Sequence, residues 1–72
     1  MECLQAVYNS GLMYMRKQDY DSALAKFQRV LTRMPSYVDA IYQSAECLVR
    51  LERVEDALVP MNQLVSLYGH GV

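Results

Sequence analysis

Seventy-two residues allow one small domain, which buries a modest fraction of its surface and is marginal alone. Seven Lys and Arg against eight Asp and Glu leave a formal net charge of -1. The basic residues are interleaved with acids, which excludes the basic stripe that grips nucleic acid non-specifically. Hydrophobic residues reach 53%, more than two helix pairs can hide by themselves, so a partner or further repeats should cover the excess. No apolar run approaches the roughly 20 residues that cross a bilayer, so membrane insertion is not expected.

The first helix is expected over about residues 2–17, with Leu4, Val7, Tyr8, Gly11, Tyr14 and Met15 at spacings of three and four. The opening "MECLQAVYNSGLMYM" has no basic region and is broken by polar residues, so it does not read as a signal peptide. Asp19 is a good N-cap for a second helix over 20–33. The inward set there is Tyr20, Ala23, Leu24, Phe27, Val30 and Leu31, and Pro35 ends it. Ser36, with Asp39 three residues on, reads as the cap of a third helix over 37–51 that buries Ile41, Ala45, Leu48 and part of Val49. A fourth covers 54–68, with Gly69 as its C-cap and a frayed tail beyond. No segment alternates with period two, so the fold class is all-α, and the short links make neighbouring helices antiparallel hairpins. Cys3 and Cys47 form no CxxC and have no nearby His; reduced cytosolic thiols are expected, with Cys47 packed as a small hydrophobe.

The two halves superpose at an offset of 34 without a gap. Ala6 meets Ala40, Tyr8 meets Tyr42, Ser10 meets Ser44, Arg16 meets Arg50, Ala23 meets Ala57 and Leu24 meets Leu58. Val7 meets Ile41, Gly11 meets Ala45, Phe27 meets Met61 and Val30 meets Leu64. A 34-residue period with two helices per unit resembles the tetratricopeptide repeat (TPR) family. That family's pattern falls on Val7, Ser10, Gly11, Tyr14, Ala23, Phe27 and Pro35, then on Ile41, Ser44, Ala45, Leu48, Ala57, Met61 and Gly69. The first unit departs from it at the Trp and Leu positions, and the second keeps size rather than identity. Small residues at 11 and 23 are needed where the two helices of a hairpin cross, and Tyr14 and Phe27 fill the space beside them.

The resemblance implies a right-handed α-solenoid fragment of two TPR hairpins, residues 1–37 and 38–72, that works as a non-catalytic protein–protein scaffold. Within that family the chain is similar to the TPR subunit of the intraflagellar transport B complex. Tyr42-Gln43, Gln63 and Val65-Ser66 are the less generic shared residues. This implies cytoplasmic placement, at the cilium or flagellum and its base. A small adaptor holding a peptide in its groove, or a TPR arm of a regulated enzyme, are the alternatives.

No catalytic constellation, phosphate loop or metal-ligand spacing stands in the sequence, and no cofactor is expected; His70, the only histidine, sits in the tail. The resemblance puts a concave face on the first helix of each hairpin, and spacing assigns Gln5, Tyr8, Leu12, Met15, Arg16, Asp39, Tyr42, Glu46, Val49 and Arg50 to it. These residues read either as a groove for a partner helix or peptide, or as a ladder with Tyr8 stacked on Tyr42. Leu64, Leu67 and Tyr68 are expected on an exposed end face. Such a face implies an excerpt from a longer solenoid or an obligate oligomer. Pro60 is expected to bend or break the fourth helix. Neither hairpin turn has a glycine, so the third and fourth helices could fuse and exchange between chains as a homo-oligomer.

Overall fold

The periodic segments fold as four helices: α1 (Leu4–Arg16), α2 (Tyr20–Arg33), α3 (Val38–Arg50) and α4 (Val54–Tyr68). The computed structural model describes residues 3–68, without the side chains of Leu67 and Tyr68. The expected roles of those two side chains, of Gly69 and of His70 lie outside the described residues. Each helix packs on the next in the chain, giving two antiparallel hairpins, α1–α2 and α3–α4, stacked through α2 and α3.

The hairpin turns close without glycine, by the same device used twice. Gln18 takes the left-handed conformation at φ 62°, and Glu52, 34 residues on, takes it at φ 61°. In the first turn the Gln18 N–H donates to the Met15 carbonyl at 2.9 Å and the Asp19 N–H to the Tyr14 carbonyl at 2.9 Å. In the second the Glu52 N–H donates to the Val49 carbonyl at 3.0 Å and the Arg53 N–H to the Leu48 carbonyl at 2.8 Å. This paired pattern is the Schellman motif, which satisfies the last carbonyls of a helix and turns the chain back. The expected fusion of the third and fourth helices does not occur, because these bonds end α3 within two residues.

The next helix begins at once. The Asp19 carboxylate accepts from the Ser22 N–H at 3.3 Å, as expected of a cap. At the matching place Arg53 cannot cap, but its Nε donates to the Asp56 carboxylate at 2.9 Å and braces the first turn of α4. Ser36 does not cap α3; that place belongs to Tyr37, whose side chain makes no cap bond. Pro60 does not break α4, which is helical on both sides of it. Pro60 is buried, and Asp56, whose carbonyl loses its helical partner, is an exposed residue.

The core belongs to the two middle helices. Ala23, Leu24, Phe27 and Val30 of α2 and Ala40, Ile41, Ala45, Cys47 and Leu48 of α3 are buried, whereas α4 adds Ala57 and Pro60. The two helices of the first hairpin approach closely at Gly11. A Cβ on Gly11 would stand 2.6 Å from Cε1 of Phe27, so only glycine lets α1 and α2 come this near. Burial pushes the Cys47 thiol up to about 11, with the Glu46 carboxylate adding to the shift. It is a packed, un-ionised side chain at neutral pH.

Candidate functional site

Seven of the expected concave-face residues line one or both of two clefts. The first, of about 370 Å³, runs between α1 and α3 and brings together Leu12, Met15, Arg16, Glu46 and Arg50, with Tyr20 and Gln43 closing it. Arg50 reaches its own helix neighbour Glu46 at 3.7 Å, an exposed pair worth little. Gln5 and Asp39 are exposed on the same helices but line neither cleft.

Tyr8 does not stack on Tyr42. Its ring lies 5.5 Å from Phe27 and 5.5 Å from Tyr37, tilted to both. The ladder fails because Tyr37, at the cap of α3, reaches back to Tyr8. Tyr8 is thus a packing residue, and its hydroxyl pKa is raised by burial and then by the Asp39 carboxylate and Tyr37, with hydrogen bonding from Gln43 opposing.

The second cleft, of about 300 Å³, lies between α3 and α4 and is lined by Tyr42, Ala45, Glu46, Val49, Arg50, Met61 and Leu64. Subtracting 34 from each gives Tyr8, Gly11, Leu12, Met15, Arg16, Phe27 and Val30. Those residues stand on α1 and α2, where α3 packs. Tyr37 touches Tyr8, and Cys47 and Leu48 join Ala23, Leu24 and Phe27 in one cluster that Tyr8, Leu12 and Met15 also pack against. The cleft on the second hairpin is therefore the image of the seat that α3 fills on the first, and no described residue fills it. Leu24 is 6% exposed and its image Leu58 52%; Phe27 is 0% exposed and its image Met61 40%. Tyr42 and Val49, at 59% and 42%, stand open on the same seat. Met61 was legible as a packing position but not as part of a site; the 34-residue offset, applied to α3's surroundings, was the signal that finds it. Leu64, expected on the end face, is half-buried and lines this cleft.

A family model for the tetratricopeptide repeat matches residues 14–66. The chain belongs to the TPR family. No solved structure matches it. The match spans α2, α3 and most of α4, which are the helices that build the filled interface and the open seat. In TPR terms the filled seat is the contact between successive repeats, and the α3–α4 cleft offers that contact again. Family membership supports a role in protein–protein interaction. Among the described residues no helix is long and apolar enough to cross a membrane.

Proposed function

We propose that the chain is a non-catalytic protein-interaction scaffold whose main docking surface is the α3–α4 cleft. Its occupant is a helix with an α3-like face: a small residue at the place of Ala40, a small or unbranched apolar one seven residues on at the place of Cys47, and larger apolar ones flanking them. The observation that carries this is the positional identity between the cleft and the seat α3 occupies. A partner helix there would bury the exposed parts of Tyr42, Val49, Met61 and Leu58, the kind of aromatic and methionine area that anchors helix-in-groove recognition. The α1–α3 cleft, with Arg16 and Arg50 at its rim, extends the surface for the rest of a partner.

The probe is a fluorescent peptide of residues 37–51, whose sequence already fits the first seat. It should bind the chain saturably, and Met61→Glu should weaken it at least tenfold without loss of helicity. Equal binding by the wild type and Met61→Glu would overturn the reading.

A finer reading makes the chain a stretch of an intraflagellar transport B scaffold, working in the cytoplasm and at the cilium or flagellum and its base. Its support is the resemblance at Tyr42-Gln43, Gln63 and Val65-Ser66. All but Gln43 of these are exposed, so packing alone does not account for them. A tagged protein that concentrates in cilia bears it out; a uniformly cytoplasmic one contradicts it.

A further inference from the structure

We infer that the helix seated in the α3–α4 cleft is α1 of a second copy of this chain, so that copies join head to tail. This rests on the proposed use of that cleft and names its occupant. α1 is the image of α3, and its outer face is uncovered in the way the cleft is. Ala40 and Cys47 are both 0% exposed, but their images Ala6 and Met13 are exposed, Met13 at 59%. The difference has one source: α3 packs on α2 as well as α4, whereas α1 packs on α2 with its other face open. Among the described residues the chain thus carries both halves of its own internal interface, each without a partner. Joining them continues the α2–α3 contact from one copy to the next.

Size and charge agree with that pairing. Inside the chain, small Cys47 shares a cluster with large Phe27. Between copies the longer Met13 would meet the slimmer Met61 in the place of Phe27; the pair is larger by roughly one methylene, which two flexible thioether side chains accommodate. The antiparallel α2–α3 packing sets the start of α2 against the end of α3, as Tyr20 and Arg50 sharing a cleft records. The same register between copies sets the end of α1 against the start of α4. There the second copy brings Arg16 and Lys17, the latter in place of Leu51, towards Glu55 in the acidic first turn of α4. The charges are opposite, which favours this register. A contact between unlike faces is heterologous, so it builds rings or open fibres rather than a two-fold dimer.

The test is sedimentation of the full chain over a concentration series, with Met13→Glu and Met61→Glu, both at exposed positions, as variants and circular dichroism as the fold control. Wild type should grow with concentration past twice the chain mass. Each variant alone should stay monomeric, since each has lost one half of the contact. Mixed, they should form a one-to-one heterodimer and stop, because the intact seat of Met13→Glu takes the intact α1 of Met61→Glu. A second pair, Lys17→Glu and Glu55→Lys, should each weaken assembly of the wild type and restore it when combined in one chain. A wild type that stays monomeric while still binding the 37–51 peptide overturns the inference and leaves the docking reading standing. A monomer that also fails to bind the peptide overturns both. A dimer that does not grow, with variants that do not complement each other, replaces the head-to-tail contact by a two-fold one and so contradicts the proposal.

Discussion

The two hairpins follow one 34-residue plan and end in different states. In the first, Phe27 is fully buried against Gly11 and Tyr8; in the second, its image Met61 is 40% exposed beside Ala45. Both hairpins are built of continuous helices. What differs is that α3 covers α2 while, among the described residues, no further helix covers α4. A hairpin of this kind is half of a core, and the neighbour completes it.

Substitution at the paired positions gives the sharpest break of that comparison. Phe27→Ala should cost about 3–5 kcal/mol, enough to unfold so small a chain. Met61→Ala should cost less than about 1 kcal/mol, as urea melts would read. Equal losses would mean that the second hairpin has a filled core after all. Next comes the crossing: Gly11→Ala drives a methyl into Phe27 and should cost about 1–3 kcal/mol. Its mirror, Ala45→Gly, should cost about 1–2 kcal/mol through helix propensity and the loss of a buried methyl.

The filled seat can also be read by pH. The Cys47 thiol is raised in the fold from 9.0 to about 11, so the fold prefers its neutral form. The stability this gives is fully present below pH 9 and lost as pH rises towards about 11, roughly 3 kcal/mol in all. Cys47→Ala should flatten that fall in urea midpoints, leaving a residue above pH 10 from Tyr8, whose shift has the same direction. Met13, at the image of Cys47, has no such role. The smallest effect is one in which the hairpins should agree. Gln18→Gly and Glu52→Gly each relieve a left-handed non-glycine residue and should each raise stability by up to about 1 kcal/mol. A gain in one turn alone would show that the two turns are not equivalent.

Much of the fold was legible because the 34-residue echo and the small-large pairs carry it. Gly11 opposite Phe27 is a steric requirement, and sequence spacing reveals such requirements. The turns were not legible, because left-handed geometry usually advertises itself by glycine. Here Gln18 and Glu52 accept it since two backbone bonds and an immediately following helix fix the chain. At Pro60 propensity predicts a bend or a break; α4 continues through it as helix, with the proline buried and Asp56 an exposed residue. Of the site, the residue types on α1 and α3 were legible, while their partners were not. Tyr8 pairs with Tyr37 rather than Tyr42 because the cap of α3, not its middle, lies over Tyr8.

Native-state amide exchange resolved by helix tests the open seat most directly. The α4 amides should exchange through openings of lower free energy than those of α2. Adding the 37–51 peptide, at a chain concentration too low for self-assembly, should raise protection in α4 towards that of α2 and leave α2 unchanged. An α4 already as protected as α2, or one that the peptide does not protect, would contradict the vacancy on which the whole account depends.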